Sequence, residues 1–304
     1  MPSALTDLAA DIAIDPRQAI GIPLALTGAV FLSLGAQFQH RGVAKVEAHT
    51  NEVSGGLSVR QITLLLARPS WVFGTAMLGL AIVLQLSSLN FAPLIVVQPL
   101  GAIALVLTTV INGRISHISP TRASLIAIAM CVGGVGLFVT VAAFTAVDTP
   151  VGDDDLTIIL IMLGIVLVAF ACAFIVLRKR FKAIFYILGA GVLYGFVATL
   201  AKVIINRVQH SNFDWLTLTC VLGLLLAAGC GAYFVQNAYA SGPPDLVIAG
   251  LTVVDPLVAV CIGVVVLGEA SQAPLWAGAV FVVAGVIAIW GVFVLARYHP
   301  QSEH

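Results

Sequence analysis

The chain has 304 residues, of which 60% are hydrophobic and 9% charged, and its mean hydropathy is +1.09, which excludes a water-soluble globular domain as its main form. Its formal net charge of zero leaves no basic surplus to attract nucleic acid. The five cysteines, Cys131, Cys172, Cys220, Cys230 and Cys261, stand far apart in apolar runs, without the spacing that a metal site requires.

Residues 1–18 are short and polar and lack a cationic stretch ahead of a brief apolar run, so no removable signal peptide is expected. A helix needs about 20 apolar residues to cross the hydrocarbon of a bilayer. Nine such runs follow: 19–38, 69–90, 93–112, 122–146, 156–177, 183–205, 214–237, 245–268 and 274–296. Prolines mark tight links after the second, seventh and eighth spans. The longest connection, 39–68, holds an apolar piece at 62–66 that is too short to span but suits an interfacial helix. Backbone polar groups left unpaired in lipid are too costly for any spanning form but helices here.

Positive charge is retained in the cytoplasm. With nine alternating crossings, Arg41, Lys45, Arg60, Arg68, Arg114, Arg122, the four cations of 178–182 and Arg297 fall on one side. Arg17 and Arg207 fall on the other, with the acidic group Asp148, Asp153, Asp154 and Asp155. The expectation is a multi-pass inner (plasma) membrane protein, its N-terminus outside and its C-terminus cytoplasmic.

The chain also resembles itself. Gly28-Ala29-Val30-Phe31 matches Gly191-Val192-Leu193-Tyr194, pairing the first span with the sixth. Gln85, eight residues before Pro93, matches Gln236, eight before Pro244; Gln98-Pro99-Leu100 matches Asp255-Pro256-Leu257. Thirteen residues beyond Pro99 and Pro256 stand Asn112 and Glu269. The expected fold is therefore all-α, with two four-helix repeats at 19–146 and 183–296, joined by a linking helix at 147–182 and flanked by tails at 1–18 and 297–304. Because five crossings separate equivalent helices, the second repeat enters the membrane inverted, the plan used by alternating-access carriers.

The layout and several motifs resemble the drug/metabolite transporter superfamily, including its EamA-like proteins, and in particular its NIPA-type magnesium transporter branch. The stretch Asn90 to Ala102 is similar to that branch's paired-proline motif followed by Leu-Gly-Ala; Lys202 falls where the branch also carries a lysine; and Pro256 to Glu269 resembles the superfamily's proline helix ending in Gly-Glu. The resemblance covers residues 19–296 and implies a carrier. Two positions depart from the pattern: Asn112-Gly113 stands where a glutamate is usual, and Asp255 stands where the branch has a neutral residue.

Asp255 is the leading site candidate, because a carboxylate near the middle of an apolar span costs several kcal/mol (about 3) unless it faces a cavity or a partner. Pro256 removes a backbone donor and is expected to break the helix beside it, as in carrier midplane sites. Asp255 then serves as a proton-coupling group, or as a structural carboxylate that caps the broken helix or pairs with Lys202. Lys202 either snorkels to the outer interface or points inward, toward Asp255 or an anionic part of a substrate. Gln39 is its approximate counterpart in the first span. Gln85, Gln98, Gln236 and Asn237, with Pro99, either line a path or bridge helices. Tyr194, Tyr233 and Tyr239 form an aromatic wall or anchor at interfaces, and Gly191 and Gly195 suit close helix packing. Glu269 is a gate candidate or a solvated helix end.

No phosphate loop, HExxH or GxSxG motif occurs, so neither an ATP-driven pump nor an enzyme is expected, and no cofactor. Expected partners are a small-molecule or ion substrate and the lipid bilayer, with a second copy of the chain as a candidate and no nucleic acid. The leading reading is a secondary carrier of an exported metabolite or drug, a divalent cation such as magnesium, or a lipid-linked sugar. The alternative is a non-transporting membrane subunit of an envelope-biosynthesis complex, with its polar groups as helix glue.

Overall fold

The computed structural model describes residues 15–50, 66–115, 121–177, 183–241 and 244–297. Among them every regular element is helical: α1 (Gln18–Thr50), α2 (Pro69–Phe91), α3 (Leu94–Leu100), α4 (Ala102–Ile115), α5 (Arg122–Thr145), α6 (Asp153–Leu177), α7 (Ala183–Gln209), α8 (Trp215–Ser241), α9 (Pro244–Val265) and α10 (Leu275–Arg297). Nine spans among the described residues are long and apolar enough to cross a membrane, α3 and α4 together forming the third. The protein is an all-α polytopic membrane protein.

The span limits fall close to those read from hydropathy, because lipid thickness sets both. Outward faces carry large apolar side chains: Ile161, Ile165 and Val168 of α6 are exposed, as bilayer contact requires. Helix ends depart more. α1 continues to Thr50, so the expected connection begins as helix, with the Arg41 guanidinium 5.9 Å from the Phe38 ring centroid. Residues 51–65, and with them most of the expected interfacial piece, lie outside the described residues, as does the side chain of Asn112.

The expected break at Pro256 is absent: α9 runs through it without interruption. The third span instead tightens locally after Pro99: Gly101 keeps helical dihedrals (φ −57°, ψ −31°), and its N–H donates to the Gln98 carbonyl at 3.1 Å, three residues back. A proline alone frees one carbonyl, and surrounding helices can hold the rest of the helix straight; a glycine two residues later removes side-chain support as well.

Helix pairing follows one scheme twice. α1 packs on α2 as α7 packs on α8, and the third span rests on α1 as α9 rests on α7. The spans α5 and α10 pack on each other, and α3 meets α9, joining the two groups of four. Close approach is bought by glycine at the contacts: a Cβ on Gly134 would lie 2.7 Å from the Ala288 nitrogen, and one on Gly291 2.6 Å from the Cys131 nitrogen.

Candidate functional site

One face of the bundle gathers the start of α1, the α2–α3, α5–α6 and α7–α8 links and the end of α9. Gln18 Nε2 donates to the Ala146 carbonyl at 3.4 Å, and Gln209 donates to Asn90. Among the described residues, the ion pairs of Lys202 and Arg207 lie at this N-terminal face.

Glu269 is its centre. α9 ends at Val265, and the turn after it holds Gly268, whose φ of +66° lies in the left-handed region that glycine adopts without strain. That turn sends the next side chain back into the bundle rather than out to solvent. The Glu269 N–H donates to the Gly263 carbonyl at 3.0 Å, and a Cβ on Gly263 would lie only 2.8 Å from Glu269 Oε2, so both glycines make room for the carboxylate. Its oxygens accept from the backbone N–H groups of Leu94 and Ile95, each at 2.8 Å. Those are donors of the first turn of α3, which no carbonyl of the helix can satisfy, and the helix dipole favours an anion there. Glu269 is 1% exposed. The expectation of a solvated helix end is corrected: backbone donors of another span repay the desolvation of this carboxylate.

Lys202 completes the network. Its ammonium lies 2.9 Å from Glu269 Oε1, 2.8 Å from Asp148 Oδ1 and 3.4 Å from the Ala92 carbonyl, and it is 4% exposed. It does not snorkel to the interface, and its partners are Glu269 and Asp148 rather than Asp255. Three acceptors for three N–H donors account for its burial. The 146–152 segment is tied down nearby: the Val147 N–H donates to the Glu269 carbonyl at 2.8 Å and the Thr149 hydroxyl to the Leu267 carbonyl.

A second buried cation, Arg207, donates through its guanidinium to Asp153 and Asp214 and, through Nε, to Thr217 Oγ1 at 3.0 Å, stapling α6, α7 and α8. Asp214 caps α8 by accepting from the Thr217 N–H at 2.9 Å. That N–H, the Thr217 hydroxyl and then Arg207 hold the Asp214 carboxyl down at about 2.

Asp255 lies apart from both networks, midway along α9. One oxygen, Oδ1, is sealed from solvent without any hydrogen-bond donor, and the side chain as a whole is half-buried. α7 approaches it closely because Gly191 and Gly195 have no side chains: a Cβ on either would lie 2.6 or 2.7 Å from Val254 or Val258. Tyr194, between those two glycines in the chain, lays its ring against Gly231 of α8, where an added Cβ would lie 2.8 Å from Cε1. Tyr233 and Tyr239 are exposed on α8, so the three tyrosines do not make one wall.

Pro99 and Pro256 meet at an apolar crevice of about 90 Å³ between α3, α5, α9 and α10, with Phe138 and Thr252 in its walls. Gln98, beside Pro99, is buried. The other amides scatter. Gln39 donates to Thr75 Oγ1 of α2 at 2.9 Å, Gln85 is half-buried on α2, Gln236 is exposed on α8, and Asn237 Nδ2 donates to the Tyr233 carbonyl of its own helix.

Sequence reasoning missed Asp148 and Arg207 as buried-network members, treating them only as charges on one side. Nothing local signals such pairs, since Asp148 lies 54 residues from Lys202 and Asp153 54 from Arg207. The Gly268-Glu269 pair was visible, but its direction depends on a single dihedral.

An uncharacterized protein of Corynebacterium glutamicum is 25% identical to this chain over 280 residues, which is 91% of this chain and 95% of that protein. No protein-family profile matches the chain. No solved structure matches it.

Proposed function

We propose that the chain is a secondary-active transporter that moves a small solute across the inner membrane by alternating access, coupled to protons through Asp255. The carrying observation is that carboxylate: an ionisable side chain halfway along a membrane span, one oxygen buried and without a donor. Intramembrane acids with no structural partner are costly and are kept for ion or proton handling. The repeated helix pairing supports the reading, since two like groups of four that exchange conformations open a site to each side in turn. So does the meeting of Pro99 and Pro256, where the Thr252 carbonyl lacks its helical donor beside a crevice.

Membership in the drug/metabolite transporter superfamily, with the NIPA-type layout, belongs to this proposal, as does an outside N-terminal face, which the lysine and arginine distribution favours. Magnesium as cargo is less well supported: Mg²⁺ seeks several oxygen ligands, and the described residues hold no group of three His, Cys, Asp or Glu side chains suited to a metal. A helix-glue role in a non-transporting subunit suits Lys202, Glu269 and Arg207, but glue needs a partner and Asp255 Oδ1 has none.

The test is transport in proteoliposomes under an imposed pH gradient, with cargo drawn from an uptake and export screen of a deletion strain against metal ions, drugs and labelled metabolites. Asp255→Asn is expected to abolish the pH dependence. A variant that transports with an unchanged pH profile would exclude the coupling role.

A further inference from the structure

We infer that Lys202 is the recognition point for an anionic group, a carboxylate or a phosphate, which arrives through the polar cavity of the N-terminal face and takes the position held by Asp148. That the bound anion is cargo rests on the transport reading; the binding itself does not.

Of the three acceptors around the ammonium, two are fixed. Glu269 is buried and held by two backbone N–H groups, and the Ala92 carbonyl belongs to the turn between α2 and α3. Glu269 alone balances the charge of Lys202. Asp148 is different: it is a second carboxylate on an ammonium already paired, its side chain is 30% exposed, and it sits on the 146–152 segment, which has no regular secondary structure.

Asp148 also stands where two cavities meet. One, of about 150 Å³, is lined by Arg17, Asn90, Asp148, Lys202, Asn206 and His210, among others; the other, of about 400 Å³, shares Arg17 and Asp148 with it. With Lys202 balanced by Glu269, the smaller wall adds Arg17, a histidine and amide donors against one carboxylate, Asp148, so releasing Asp148 leaves donors and one cation for an anion. Arg17 is exposed and makes no ion pair among the described residues. At about 10–15 Å³ of cavity space per water, the cavity admits about ten water-sized groups, enough for phosphate or a small carboxylate such as succinate. Asp148 therefore acts as an internal competitor: an external anion that reaches Lys202 and Arg17 releases it. Val147 and Thr149, on either side of Asp148, hold the same segment to the end of α9, so the exchange is positioned to loosen that strap.

The experiment uses the purified full chain in nanodiscs and follows its thermal unfolding midpoint against inorganic phosphate or succinate at constant ionic strength, with magnesium chloride as a cation arm. Wild type is expected to show a saturable upward shift with at least one of the two anions. Asp148→Asn removes the competitor and is expected to lower the half-saturating concentration about tenfold. Arg17→Gln, a change at an exposed position, is expected to raise it several-fold, and it decides the matter if Asp148→Asn does not fold. The site is overturned if neither anion shifts wild type saturably, if Asp148→Asn leaves half-saturation within twofold of wild type, if Arg17→Gln has no effect, or if magnesium alone protects the wild type. The phosphate and succinate arms separate the two anion chemistries. Anion binding without proton-dependent transport removes the carrier reading and leaves the site; transport without anion binding does the reverse.

Discussion

Lys202 and Glu269 meet 2.9 Å apart, 67 residues apart in the chain, with the carboxylate also holding the first two N–H groups of α3. One side chain thus joins α7, the end of α9 and the start of α3. Breaking a buried pair on one side leaves an uncompensated charge and costs about 3–5 kcal/mol. Glu269→Gln should lower stability by that order, because an amide has one acceptor for two backbone donors and turns its own N–H groups toward them. Lys202→Met should also destabilise. The double variant should cost less than the sum, by about 1–3 kcal/mol. Unfolding in detergent across the four proteins measures this, and strict additivity would disprove the coupling.

The α7–α9 contact beside Asp255 depends on two missing side chains. Gly191→Ala places a methyl 2.6 Å from the Val254 side chain, which the packed helices can absorb only by moving apart. Overpacking of this kind costs about 1–3 kcal/mol. Adding Val254→Ala should restore part of the loss. Gly79→Ala, with nothing within 4 Å of the new methyl, should be close to neutral and serves as the control in the same unfolding assay.

Asp214 supplies an acid-sensitive element at the N-terminal face. Its carboxyl is held at about 2, below its ordinary 3.8, so the folded state favours the charged form. The resulting stabilisation is present above the unfolded value near 3.8 and is lost as pH falls through the folded value near 2. Asp214→Asn should show a smaller fall in stability than wild type over that window, read as the unfolding midpoint between pH 2 and 5. Parallel curves would rule the contribution out.

Orientation is open to a direct assay. With the native cysteines replaced by alanine, a single cysteine at the exposed Asp154 should react with a membrane-impermeant maleimide in intact cells. One at the exposed Arg114 should react only after permeabilisation. The opposite pattern would reverse the orientation, and with it the side from which the polar cavities fill.

What the sequence determined by itself was everything that solvent dictates: the nine spans found among the described residues, their limits to within a few residues, and the links that proline and glycine mark, because bilayer thickness and the cost of unpaired backbone act on composition and length alone. Asp255 was legible for the same reason, as a charge where charge is expensive. Tertiary structure alone decided the partners. Whether Lys202 snorkels or turns inward depends on acceptors brought from the α2–α3 turn, the 146–152 segment and the turn after α9, and whether Glu269 is solvated depends on the +66° φ of Gly268. Likewise, two similar prolines behave differently, Pro99 with Gly101 behind it standing at a local tightening of its span and Pro256 lying within an uninterrupted helix. Such outcomes follow from contacts between residues tens to more than a hundred positions apart, and no local pattern encodes which of several available partners a buried charge will take.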